Sequence, residues 1–149
     1  FIGRALGSKK IGMNLTVVPA GKTAFPRHFH YINDEVFVVL AGTGTLHHGD
    51  DDHPLRPMDV VYIEAGTGIP FQIENTGTEE LRYLALSSMD PADVFVYPDS
   101  GKVGVMALAT PFRDLSADHA AQPFRKWVLL DDNVPYWRGE PRAGAAAEE

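Results

Sequence analysis

An all-β barrel or sandwich is the fold class this sequence predicts. Three features carry it: short β-branched runs between residues 12 and 87, turn residues dividing them at close spacing, and no long helical period there. At 149 residues the chain suits one domain with one core. Its 14 Gly and 11 Pro are scattered rather than clustered, which implies many turns and so many short strands.

Taken in order, residues 12–19 (GMNLTVVP) read as a first strand, and 19–22 (PAGK) as the turn after it. A second strand is expected over 24–30. Residues 36–41 (VFVVLA) are apolar without a break, as in a strand covered on both faces, which points to a second sheet or a partner subunit. Gly42 ends it, and 44–48 (GTLHH) leads into an acidic turn at 49–52. Strands are expected at 60–63, 71–75 and 81–87, with 65–70 and 76–79 as loops. Beyond them, 90–94 (DPADV) suggests a turn or helical start, 97–101 (YPDSG) a turn, 113–122 a short helix, and 124–130 (FRKWVLL) a late strand. The resulting division is a barrel over 12–110, an aromatic-rich C-terminal extension over 111–142 that packs on the barrel or a partner through Trp127, Tyr136 and Trp137, and a disordered tail over 143–149.

Charge and composition exclude several functions. With 13 Lys+Arg against 20 Asp+Glu the formal net charge is −7, which opposes attraction to nucleic acid or to anionic membranes. No apolar run approaches the ~20 residues of a spanning helix, and the first ten residues lack the apolar centre of a signal peptide. There are no cysteines, so disulfides and thiolate metal sites are excluded and any metal must be held by imidazole and carboxylate. A cytoplasmic protein fits this composition.

The chemistry concentrates at His28, His30 and Glu35. Side chains alternate across a strand, so imidazoles two residues apart share a face. The segment 31–34 (YIND) serves as a bend that returns Glu35 beside them. Two imidazoles and a carboxylate suit a divalent ion such as Fe, Zn, Mn or Ni. His47, His48 and His53 near the acidic turn read as a solvated hairpin. His119 has no neighbour at ligand spacing. In Ser100-Gly101-Lys102 the upstream glycine of a phosphate loop is missing, so the segment reads as a turn. Strict alternation turns Arg27 away from the histidine pair.

On these residues the chain resembles the cupins. Residues 21–42 (GKTAFPRHFHYINDEVFVVLAG) are similar to the first cupin motif: Gly, His-x-His, four residues, Glu, six residues, Gly42, with Gly21 one place further upstream than usual. Residues 58–75 (MDVVYIEAGTGIPFQIEN) resemble the second, with Asp59, Gly66 and Asn75 in place, Met58 for the usual Gly and Glu64 for the usual Pro. The resemblance implies a double-stranded β-helix (jelly-roll) barrel, a metal on His28, His30 and Glu35, and a pocket lined by Phe71, Ile73 and Asn75. Phe71 stands where the family carries its last metal-binding His, and it cannot ligate; an open, partly apolar side of the metal is the expected consequence. Asn75 either orients a ligand or satisfies backbone groups. Residues 97–103 and the aromatic tail resemble small single-domain cupins often labelled sugar-phosphate isomerase-like, a fold-level analogy only.

The implied function is a metal-dependent enzyme of isomerase, epimerase or dioxygenase type acting on a small sugar-like or carboxylate molecule. The alternative is a non-catalytic small-ligand-binding cupin, with Phe71 as the feature in its favour. A sensor domain of a transcription factor lacks a DNA-binding segment. The doubly apolar strand and the aromatic tail predict a homodimer.

Overall fold

Short strands with alternating side chains build most of the regular structure among the described residues. The structure is a computed structural model that describes residues 2–107, 124–135 and 138. After a four-residue helix, α1 (Ile2–Ala5), the strands run β1 (Ile11–Val18), β2 (Phe29–His30), β3 (Glu35–Ala41), β4 (Gly44–His48), β5 (Asp51–Leu55), β6 (Val60–Ile63), β7 (Phe71–Glu74), β8 (Leu81–Ser88), β9 (Ala92–Tyr97), β10 (Lys102–Ala107) and β11 (Phe124–Leu129). They form three sheets, ordered β1-β8-β3-β6, β5-β4-β7 and β11-β10-β9-β2. All pairings between neighbouring strands are antiparallel.

The core lies between the sheets. In β3, Phe37 and Val39 are 2% and 1% exposed, and they meet Leu81 and Tyr83 of β8, Ile63 of β6, Phe71 and Ile73 of β7 and Leu46 of β4. The alternate β3 residues, Val36 and Val38, point the other way. Fully burying one such apolar side chain stabilises the fold by roughly 1.5–3 kcal/mol. Gly42 ends β3 because a Cβ there would lie 2.3 Å from the Glu80 carbonyl oxygen, and its φ of +77° suits glycine.

Five expectations change. The strand expected at 24–30 shrinks to β2, which pairs with β9, while the residues before it meet β7 through isolated bridges at Thr23 and His28, because Pro26 interrupts the ladder. The acidic turn at 49–52 reduces to Gly49-Asp50, and Asp51–Leu55 is a strand: as the outer strand of its sheet, β5 tolerates charges and Pro54. Residues 90–94 are neither turn nor helix, since β9 begins at Ala92 and pairs with β10 and β2. The strand β10 and the helix α1 were not anticipated. The turn at 97–101 forms as expected, with a 3-10 turn at Pro98–Ser100 closed by left-handed Gly101. The late strand also forms, as β11. The helix expected at 113–122, His119, Tyr136, Trp137 and the tail 143–149 lie outside the described residues. No helix among the described residues is long and apolar enough to cross a membrane.

Candidate metal centre

Three strands from different sheets converge on the histidine pair. His28 exchanges backbone hydrogen bonds with Phe71, at 3.1 and 2.8 Å, while Phe29 and His30 pair with Val96 and Phe95 of β9. The segment thus crosses from one sheet to another with both imidazoles on its inner side. The bend after His30 is held by its own polar side chains. Asp34 accepts from the Ala65 amide at 2.9 Å, and Asn33 accepts from the Asp90 amide at 3.0 Å. Glu35 then opens β3 beside the pair, so that His28, His30 and Glu35 offer ligand atoms all within 4.8 Å of one another.

The hydrogen bonds fix which ring atoms face inward. Nδ1 of His28 donates to the Pro26 carbonyl at 2.8 Å, and Nδ1 of His30 donates to the Asp93 carboxylate at 2.5 Å. Both partners only accept, so each Nδ1 carries the proton and each Nε2 presents a lone pair. The two Nε2 atoms lie 3.1 Å apart, and Glu35 Oε2 is 4.0 Å from His30 Nε2. Two lone pairs at that separation repel unless a cation lies between or beside them. A single proton can fill the role, and so can a metal ion: two nitrogens each ~2.1 Å from one ion and roughly at right angles are about 3 Å apart. The donor set therefore fits a divalent metal.

The electrostatics follow the same geometry. Burial pushes His28 down to about 4, against the pull of its Pro26 hydrogen bond. For His30 burial also works downward, but the hydrogen bond to Asp93 and the charges of Glu35 and Asp93 outweigh it and raise its pKa. Burial raises Glu35. A proton taken up by the pair is therefore held at His30 in preference to His28.

Asp93 is the residue that sequence reading missed. It is 1% exposed and receives three donors: His30 Nδ1, Asn33 Nδ2 at 2.8 Å and the Ile32 amide at 3.3 Å. A carboxylate behind a ligating imidazole fixes its tautomer and raises its basicity. The available signal was the alternation of 92–97 (ADVFVY), masked by Pro91.

Phe71 does not leave the site open on its side. Its ring is fully buried, with centroids 4.9 Å from His28, 5.4 Å from Phe25 and 5.8 Å from Phe37. Tyr97 stacks on His28 at 5.5 Å, and Phe95 tilts against His30 at 5.5 Å. Solvent reaches the cluster at His30 and Glu35, whose side chains are 17% and 20% exposed. Gly104 makes the Phe95 position possible, since a Cβ there would lie 2.0 Å from that ring. Ile73 and Asn75 are fully buried; Asn75 donates to the Val18 and Glu79 carbonyls and accepts from the Gly77 amide, so its polar atoms serve the backbone. Arg27 reaches the Gly49 carbonyl and Asp99, away from the cluster. An open cleft of about 430 Å³ between β4, β5 and β6, lined in part by His48, His53 and Tyr62, does not include the cluster.

A cupin domain model matches residues 14–87. Auxin-binding protein 1 of Arabidopsis thaliana is 35% identical over 103 residues, which is 62% of this chain and 50% of that protein. The oxalate-binding protein of Thermotoga maritima is 34% identical over 59 residues, 40% of this chain and 47% of that protein. The chain thus spans about half the length of the curated relatives it matches. A candidate sugar phosphate isomerase from Acidithiobacillus ferrooxidans superposes with a TM-score of 0.72 at 26% identity, covering 90% of this chain and 76% of the other. A cupin described as a sugar phosphate isomerase, from Silicibacter pomeroyi, superposes at 0.73 with 22% identity over 88% and 74%, which speaks for the fold.

Proposed function

Since the chain is a small cupin with the double-stranded β-helix fold, we propose that His28, His30 and Glu35 hold one divalent metal ion that receives a small molecule with oxygen donors, a carboxylate or a sugar-like hydroxy-carbonyl compound. The observation that carries this reading is the pair of Nε2 lone pairs 3.1 Å apart, each fixed by an acceptor behind its ring. When bound, the metal supplies a Lewis acid that polarises a carbonyl or carboxylate, the chemistry an isomerase or epimerase needs and, if the metal is iron, an oxygenase can extend. Asp93 orients His30, the aromatic rings of Phe71, Phe25 and Tyr97 exclude water from the His28 side, and the ligand enters past His30 and Glu35. The oxalate-binding and sugar phosphate isomerase descriptions of similar proteins favour the same ligand classes.

A second reading, a non-catalytic binding module, has its own support. Among the described residues, the imidazoles and carboxylates of the cluster are metal ligands or, in Asp93, the orienter of one, so no imidazole or carboxylate of the cluster is left as a separate general acid or base. Calorimetric titration of the zinc-loaded chain with a dicarboxylate and with a sugar phosphate tests the proposal. Binding of either that vanishes on chelation is expected; no heat from both classes contradicts it. Interconversion of a bound sugar phosphate, followed by NMR, separates enzyme from binding module.

A further inference from the structure

The sheet that carries His30 continues past the barrel as the ribbon β10-β11. In register across β2, β9, β10 and β11 run His30, Phe95, Gly104 and Trp127. The rings follow that row: Phe95 has its centroid 5.5 Å from His30 and 6.0 Å from Trp127, over the bare Cα of Gly104. Trp127 therefore stands on the face of the metal ligands, and it is 51% exposed. Alternation places Arg125 and Lys102 on the same face, in the rows to either side. The Nζ of Lys102 lies 5.2 Å from the centroid of Tyr97, the ring that stacks on His28.

The charge of the ribbon is opposite to that of the chain. The formal net charge is −7, yet β10 and β11 hold Lys102, Arg125 and Lys126 and no carboxylate. Arg125 is exposed and has no ion-pair partner among the described residues, whereas Arg27 and Arg82 are paired with Asp99 and Glu80. Both Trp127 and Arg125 lie outside residues 14–87, the part that matches the cupin domain model.

On the reading that His28, His30 and Glu35 hold a metal ion, we infer that Trp127 and Arg125 form a distal subsite for its ligand and select a phosphorylated sugar over a short dicarboxylate. Indole offers a flat apolar platform for the ring, and a guanidinium pairs with phosphate through two parallel hydrogen bonds. Three strand spacings put β11 about 14 Å from β2. A dicarboxylate that chelates the ion ends well short of that ribbon. A sugar bound by its carbonyl end carries its phosphate toward it, and the long stem of Arg125 covers the rest.

Calorimetric titration of the zinc-loaded full chain with ribose 5-phosphate and with malonate tests the subsite. Ribose 5-phosphate is expected to bind. Trp127→Ala should weaken it roughly tenfold and Arg125→Gln about fivefold, with malonate affinity and zinc content unchanged in both. Lys126→Gln, next in sequence but on the opposite face, should leave ribose 5-phosphate affinity as it is. All three side chains are exposed, so the fold is retained. Malonate binding without ribose 5-phosphate binding overturns the subsite and leaves the metal reading standing, as does full ribose 5-phosphate affinity in Trp127→Ala and Arg125→Gln. A loss shared equally by malonate, or by Lys126→Gln, reduces Arg125 to general charge and overturns the subsite too. A chain that takes up no zinc overturns both.

Discussion

His30 and His47 each stand beside two carboxylates, yet their rings are used in opposite ways. In His47, on β4, Nδ1 lies 2.6 Å from Asp52 and Nε2 3.0 Å from Glu74. Both partners only accept, so the ring is held as an imidazolium: it is the cation of its own cluster and has no lone pair left for a metal. In His30 only Nδ1 meets a carboxylate at hydrogen-bond distance. Its Nε2 faces the Nε2 of His28, with Glu35 further off at 4.0 Å. Histidine and carboxylate together therefore do not define a metal site; the direction of the unprotonated nitrogen does.

Removing the charge behind His30 should have the largest effect on this contrast. Asp93→Asn is expected to weaken zinc binding by about 10–100-fold, the usual effect of losing the partner of a ligating imidazole. Competition against a chromophoric chelator measures it, and an unchanged affinity would break the account of Asp93. Phe71→His adds an imidazole opposite His28 and is expected to tighten zinc roughly tenfold, about 1.4 kcal/mol. The gain is limited because a polar ring must enter the space among Phe25 and Phe37. Unaltered affinity in the same competition assay would mean that position 71 does not reach the ion.

Acid and base should separate His28 from His47 in the metal-free chain. His28 stays neutral when folded down to about 4, whereas an unfolded imidazole takes up its proton near 6.5. The unfolded state binds more protons in that window, so folding stability is full above 6.5 and falls as pH drops toward 4. His47 has the reverse sign. Its pKa is raised, first by the Asp52 hydrogen bond and then, against some burial, by Glu74, so its contribution is present below 6.5 and is lost as pH rises through the raised value. Urea midpoints across pH, with chelator present, should lose the first slope in His28→Ala, whereas the second should shrink in His47→Ala and persist in part through His30, whose pKa is also raised. The smallest effect expected is that of His47→Ala near neutrality, under about 1 kcal/mol, because the cluster is partly exposed and screened by solvent and salt. A metal affinity reduced by His47→Ala would erase the distinction between the clusters.

Much of the site was legible because strand alternation is local. The spacing of His28 and His30 sufficed to place both rings on one face, and the bend rich in Asn and Asp foretold the return of Glu35. The place of Phe71 came from the motif resemblance, but the open side expected there did not hold, since its ring is fully buried. What could not be read were partners distant in sequence: Asp93 lies 63 residues from His30, in a segment whose Pro91 suggests a turn rather than a strand. The strand β5 was hidden for a related reason. Its Asp51, Asp52 and Pro54 contradict strand propensity, and only its position at a sheet edge, a tertiary fact, permits them. The packing of Phe71 against Phe25 and Phe37 was equally out of reach, because replacing a ligand says nothing about which rings fill its place.

Elemental analysis of chain purified without an affinity-tag metal, saturated with zinc and then desalted, tests the central claim most directly. One ion per chain is expected in the wild type and in His47→Ala, and none in His28→Ala. A wild type without metal, or a folded His28→Ala that keeps a full equivalent, would contradict the assignment of His28, His30 and Glu35 as a metal centre.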